Sequence, residues 1–519
     1  MRGADLIVRT LADAGVELCF TNPGTSEMHL VAALDHEARM RSVLVLFEGV
    51  ASGAADGYAR LADKPAATLF HLGPGLANGI ANLHNARRAR SPIVNIVGDH
   101  ARHHRIFDAP LTSDIESLAR PVSRWYAAIE DPASTAEITT TAVAQSFLDG
   151  GGVASLVVPA DIAWQEVQDQ TARPGNRPGR ASVPEERIAE AAEKLKAAGS
   201  PVVFIGAQAC REEGLRAAGR LAQALDARLV METFPARISR GAGRVSATRL
   251  QYFADGAAQD LKDADLLLLA GARAPVSFFA YPGQPSSLVP EGAEPFLLGD
   301  AGEDVVAALD ALADHFGAPR EPALDPAMAP PPLMQPDEKL SAPAVGMALA
   351  RHMPAGSVIC DDSTTSGLGV YFLLENAAPH EWLCLTGGAI GAGMPMGVGA
   401  ALAAPERKVI TLNGDGAGAY TLQALWTQAR ENLNVVNIVF ANHSYLILNV
   451  ELARLGLAGE TGGKARAMLS LAEPRMDWVK LAEGFGVAAS HARTAGEFDR
   501  ALASAISASG PQLIVAEIA

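Results

Sequence analysis

Two apolar runs, at 409–412 and 435–440, flank a segment at 421–431 whose residues suit a helix. The pattern predicts a strand, helix, strand unit, which commits this part of the chain to a parallel sheet. Both strands of such a unit end on one edge. Gly414-Asp415-Gly416-Ala417 follows the first strand and Asn442-His443-Ser444 follows the second. Asp415 and Asn442 should therefore lie side by side where open α/β sheets bind ligands. A carboxylate, an amide carbonyl and a free backbone carbonyl suit a hard cation such as Mg²⁺, whose other positions accept phosphate oxygens. The edge predicts a metal-bridged diphosphate.

The same alternation recurs through all 519 residues, too many for one core. Strands are expected at 16–20, 43–47, 67–70, 93–97 and 154–158, then at 202–205 and 266–269, then at 357–360, 409–412, 435–440 and 513–516. Continuous apolar runs of this kind are buried parallel strands. A polar stretch rich in Pro, Gly and Arg at 165–187 and a proline-dense one at 318–336 read as linkers. The expectation is three doubly wound α/β domains, at 1–165, 186–317 and 338–519.

Composition excludes several classes. A net charge of -16 with no basic cluster argues against nucleic acid. Cys19, Cys210, Cys360 and Cys384 lack the spacing of a zinc site or a disulfide framework. No signal peptide precedes the first helix. The uncharged stretch 387–405 is the one membrane candidate, but its glycines, with Pro395 and Pro405, suit a buried helix better. A soluble, cytoplasmic protein is expected.

The Gly-Asp-Gly motif with Asn442 at this distance resembles the diphosphate motif of thiamine-diphosphate (ThDP) enzymes. The resemblance implies that Asp415, the Asn442 side chain and the Ser444 carbonyl bind Mg²⁺, with Gly414, Gly416 and Ala417 at the diphosphate. The stretch 47–60, with Glu48 at its start, is similar to the family segment whose glutamate hydrogen-bonds N1′ of the aminopyrimidine and activates the cofactor. The glycine-rich stretch 386–395 is similar to the segment that bends the cofactor. Ile390 would be the wedge between its rings and the Gly388 carbonyl would accept from N4′. By similarity to benzoylformate decarboxylase, Thr364 and Thr365 contact the diphosphate.

Substrate residues are read the same way. The loop 22–27 resembles one that presents a serine, here Ser26, to the substrate carboxylate; a helix-capping serine is the other reading. His71 falls where the benzoylformate enzyme has a catalytic histidine, and an imidazole can act as acid or base near neutral pH. His103 and His104 resemble the paired histidines of a comparable loop in pyruvate decarboxylases, but the match in position is loose and they read as surface histidines. Ile447, Leu448, Phe278 and Phe279 are candidate linings. Other markers are missing: no histidine stands near Ala280, Leu448 replaces a glutamate of pyruvate decarboxylases, and residues 108–112 replace the Phe-Gln-Glu loop of acetolactate synthases. Their flavin-associated segment survives only as Gly271-Ala272-Arg273, so FAD is compatible but not indicated.

The resemblance covers nearly the whole chain and implies an enzyme of the acetolactate synthase and benzoylformate decarboxylase group. Such an enzyme decarboxylates a 2-oxo acid through a C2-carbanion and enamine, then releases an aldehyde or ligates a second carbonyl compound. It implies a cofactor between two subunits, in a homodimer or homotetramer. A catalytically impaired subunit or binding module is the alternative; a nicotinamide oxidoreductase lacks its dinucleotide fingerprint here.

Overall fold

The computed structural model describes residues 1–169, 179–326, 332 and 334–518. Most of the Arg-rich stretch 173–180, with Pro330 and Pro331, lies outside the described residues.

Three sheets organise the chain. The first is wholly parallel, in the order Arg41–Leu44, Leu18–Thr21, Ala66–Phe70, Ile93–Asp99, Val153–Pro159, Trp125–Ala128. The second, also parallel, runs Thr248–Arg249, Arg228–Met231, Pro201–Ile205, Leu266–Ala270, Glu294–Gly299. The third runs Ala488–Ala492, Gln512–Glu517, Val435–Ala441, Val409–Gly414, Val358–Asp362, His380–Leu383, Ile238–Arg240. Its last strand is antiparallel and comes from the chain that has just left the second sheet. The central strands are buried along their whole length because helices cover both faces.

Register places the ligand edge of the third sheet. Asp362 pairs with Asn413, and Gly414 with Phe440. The expected strand, helix, strand unit is present, with one difference. Its helix is only Ala424–Arg430, because the chain first makes a short helical turn, Asp415–Gly418, directly off the strand.

The first and third sheets are joined by two helices, Glu48–Ala62 and Gly393–Ala403, both buried along nearly their whole length. A Cβ at Gly399 would lie 1.9 Å from the Ala54 carbonyl oxygen, so the backbones meet where glycine leaves room. The 387–405 stretch thus contains an 11-residue helix, about 16 Å long, wedged inside the protein. Among the described residues no helix is long and apolar enough to cross a membrane. Asp56 and Arg60 form an ion pair inside this interface, their side chains 1% and 2% exposed. Arg60 also donates to the Cys384 carbonyl at 2.6 Å and to Thr386 Oγ1 at 3.1 Å, which ties the first sheet's helix to the start of the glycine-rich loop.

Candidate active site

Four loops meet at the carboxyl edge of the third sheet. Asp415 opens the turn after Val409–Gly414 and is 2% exposed. Its Oδ1 accepts from the Gly416 N–H at 2.8 Å and its Oδ2 from the His443 N–H at 2.7 Å. Burial pushes its carboxyl above the usual range, although those two donors favour the charged form. Asn442 follows the neighbouring strand, and its Oδ1 accepts from the Ser444 N–H at 3.0 Å. The structure brings Asp415, Asn442 and Ser444 together as the strand order requires. A Cβ at Gly416 would lie 2.4 Å from Tyr445 Cε1, so that ring covers the Gly-Asp-Gly turn.

Thr364 and Thr365 sit in the turn after Val358–Asp362, and Thr364 adopts a left-handed φ of 51°. Its Oγ1 lies 3.8 Å from where a Cβ of Gly414 would be. Asp362, just before this turn, was not anticipated from the sequence. Its Oδ2 accepts the N–H groups of Gly391, Ala392 and Gly393 at 2.8, 2.8 and 3.2 Å, which fixes the loop carrying Gly388 and Ile390 to the helix start. Burial raises its carboxyl to about 7. Gly388 and Gly391 have φ of 77° and 93°, the left-handed region that glycine enters freely. Phe278 Cζ comes within 3.0 Å of a Cβ placed on Gly388, so one of the expected lining residues does face the loop. Tyr281, three residues on, donates to Glu451 Oε2 at 2.9 Å on the helix Leu446–Arg454, which carries Ile447 and Leu448.

The first sheet contributes the other group. Glu48 is the first residue of its helix and is 6% exposed. Asn78 Nδ2 donates to its Oε2 at 3.0 Å, and Oε1 accepts no hydrogen bond among the described residues. A Cβ at Gly75 would lie 3.4 Å from Glu48 Oε1 and 3.4 Å from His71 Cβ, so these two side chains flank one helical turn. His71 precedes the helix Leu72–Ala89 and is partly open. Its Nδ1 is 2.8 Å from Glu27 Oε2 and 3.1 Å from Ser26 Oγ, which itself donates to Glu27 Oε1 at 2.6 Å. Ser26 therefore makes no helix cap; it belongs to a Ser26, Glu27, His71 cluster. Asn82 links the halves, donating to the carbonyls of Gly49 at 2.8 Å and Gly391 at 3.1 Å.

Sequence reasoning missed Glu27, Asp362 and the asparagines. One signal was there: Asn78, Asn82 and Asn85 recur at spacings of four and three, a polar stripe on a helix whose other positions are largely apolar or glycine. His103 and His104 are exposed, as expected of surface histidines, yet both line a cavity that His71 also lines.

An oxygen-only donor set at one sheet edge, a carboxylate with a free oxygen at another, and a glycine loop bridged to both fit a divalent cation and a diphosphate cofactor with a ring nitrogen to protonate. Among the described residues no cluster of three or more His, Cys, Asp or Glu could hold a metal, so Asp415 would act with neutral oxygens. These features define an α/β protein with a cofactor-binding edge on each of two sheets.

Residues 1–115 match the thiamine pyrophosphate enzyme N-terminal TPP binding domain and residues 364–516 the C-terminal TPP binding domain. The chain belongs to the thiamine pyrophosphate enzyme family. It is 47% identical over 514 residues to a Mycobacterium tuberculosis protein described as a candidate acetolactate synthase large subunit, IlvX, covering 99% of this chain and 98% of that one. It is 29% identical over 530 residues to benzoylformate decarboxylase of Pseudomonas aeruginosa, covering 96% of each. In fold it matches the thiamine diphosphate-dependent 4-hydroxybenzoylformate decarboxylase of Rhodococcus jostii with a TM-score of 0.88 at 24% identity, covering 100% of this chain and 99% of the other.

Proposed function

We propose that this chain is a ThDP- and Mg²⁺-dependent enzyme that decarboxylates a 2-oxo acid and either releases an aldehyde or joins the remainder to a second carbonyl compound. The observation that carries the reading is Glu48, a shielded carboxylate with one oxygen unpartnered, on the same protein as the Asp415, Asn442 and Ser444 oxygen set.

Asp415, the Asn442 side chain and the Ser444 carbonyl would hold Mg²⁺. Gly414, Gly416, Ala417, Thr364 and Thr365 would receive the diphosphate, and Gly388 and Ile390 the rings. When bound, ThDP supplies the electron sink for loss of CO₂. Glu48 holds the proton shared with the aminopyrimidine. Ser26 orients the substrate carboxylate, and His71 moves a proton at the carbon that lost CO₂. Phe278 beside Gly388 keeps water from that face, and a less polar surrounding favours a step that disperses carboxylate charge.

A homodimer or homotetramer in the cytoplasm, with the site shared between copies, accords with large apolar side chains left open near the site loops. Ile106 is 81%, Phe107 69% and Tyr420 56% exposed in the single chain. Circular-dichroism titration with ThDP and Mg²⁺, followed by product identification from pyruvate, benzoylformate and branched 2-oxo acids, tests the reading. A saturable signal and CO₂ release are expected; no signal from the folded wild-type protein would sink it.

A further inference from the structure

Beside His71 and Ser26 lies a cavity of 370 Å³, whose far wall holds His100, His103, His104 and Trp164. Their placement follows from the first sheet. His100 stands just after the strand Ile93–Asp99, His103 and His104 lie in the turn Arg102–Phe107, and Trp164 closes the helix that follows the paired strand Val153–Pro159. The His100 and His104 rings meet edge to face at 5.4 Å, and His103 is 6.5 Å from the Trp164 ring.

None of the three imidazoles makes a side-chain hydrogen bond among the described residues, and His100 Nε2 is shut off from water without a partner. His103 and His104 are exposed on that wall, so their ring N–H groups stand open to a guest. Among the described residues no carboxylate lines the cavity. The acids nearby are already committed: Asp99 to Arg105 at 2.8 Å, Asp161 to Arg102 at 2.8 Å and Glu27 to His71 at 2.8 Å. In a chain of net charge -16, residues 100–105 hold three histidines, two arginines and no acid. A metal is not the guest, since no group of three or more suitable ligands comes together among the described residues.

We propose that this cavity takes the substrate's side chain and that the side chain ends in a second anionic group. The substrate class is a 2-oxo acid with a terminal acidic function, its methylenes against Trp164 and its charge on the imidazole N–H groups. This rests on the reading of the reaction given above and narrows it.

The test uses the full chain loaded with ThDP and Mg²⁺ and a probe with no 2-oxo group to react. Glutarate binding is measured by calorimetry beside butyrate and phenylacetate, with tryptophan emission as the locator. Because the chain has five tryptophans, Trp164→Phe assigns the change. Glutarate should bind at least about tenfold more tightly than either monoacid, the change of emission should vanish in Trp164→Phe, and His103→Gln/His104→Gln should weaken glutarate about tenfold or more. Both histidines are exposed, and thermal melts verify that the variant folds. Phenylacetate or butyrate binding as tightly as glutarate, glutarate affinity unmoved by the histidine changes, or no glutarate binding would each overturn the proposal. Cofactor binding is read separately by circular dichroism, so its failure identifies an error in the reaction assigned, not in the cavity.

Discussion

Glu27 and His71 meet at 2.8 Å, the carboxylate fully buried and the imidazole partly open to the cleft. A proton on Nδ1 satisfies Glu27 and leaves Nε2 as the working nitrogen, so Glu27 positions the ring instead of touching substrate. Its carboxylate fits because the adjoining residue is Gly98, where a Cβ would come 1.9 Å from Glu27 Oε1. Glu27→Gln should lower kcat about tenfold to a hundredfold with little change in KM, less than the roughly 10²–10⁴ expected for His71→Ala. Steady-state kinetics of both variants make the comparison, and an unchanged kcat in Glu27→Gln would remove the positioning role.

Glu48 offers one oxygen to Asn78 and keeps the other free. If the free oxygen serves the cofactor ring, Glu48→Ala should abolish exchange of the cofactor's C2 proton, read by proton NMR after acid quench, while Mg²⁺ and diphosphate still bind through Asp415. Asp415→Ala should instead lose the thermal stabilisation that ThDP and Mg²⁺ give the wild type, about 2.7 kcal/mol at a hundredfold excess over Kd. Normal exchange in Glu48→Ala would contradict the division of labour.

Much of this is legible in the sequence, and the reasons are physical. The runs at 409–412 and 435–440 are buried on both faces, so they read as unbroken apolar strands, and a parallel pair fixes where Asp415 and Asn442 end. The strand His380–Leu383 was missed because it begins with His380 and Glu381. Both are buried, Glu381 by accepting from Arg237 at 2.8 Å and Ser239 at 3.0 Å, and His380 as a neutral ring that burial pushes down to about 3. Trp125–Ala128 is an edge strand half-buried throughout and Ala488–Ala492 one of mixed exposure, so neither pattern carries a clear period. Glu27 accepts from its neighbours Gly24 and Ser26, but its partner His71 lies 44 residues on, beyond the reach of any local pattern.

The Asp56 and Arg60 pair carries an interface as well as a charge. Removing one partner of a buried pair leaves the other unpaired and costs about 3–5 kcal/mol. Arg60→Met should therefore lower the urea midpoint strongly, whereas Asp56→Leu/Arg60→Met should recover part of the loss. Both variants should also bind ThDP more weakly, because Arg60 no longer holds Thr386 at the root of the glycine-rich loop. Full cofactor affinity in Arg60→Met would show that the loop is held without it.

Two acids whose carboxyls are pushed upward, Asp362 and Glu232, contribute to the response to pH. Burial raises Asp362 from 3.8 to about 7 and Glu232 from 4.5 to about 7; Glu232 sits against the Ala207 N–H at the turn after Pro201–Ile205. A group whose folded value exceeds its unfolded one keeps a proton in the native state that the unfolded chain has released. Its stabilising contribution is complete below the unfolded value and is lost as pH rises through the folded one. Stability from these two groups should therefore decline between about pH 4 and pH 7, opposite in sign to the usual paired carboxylate. Geometry supports the protonated form of Asp362. Among the described residues its Oδ1 is buried without a partner, where a protonated oxygen costs less than a charged one. Urea denaturation from pH 4.5 to 8 should show the decline in wild type, a shallower one in Glu232→Gln and in Asp362→Asn, and the shallowest when both are changed. A slope identical in all four proteins would assign the pH response to other groups.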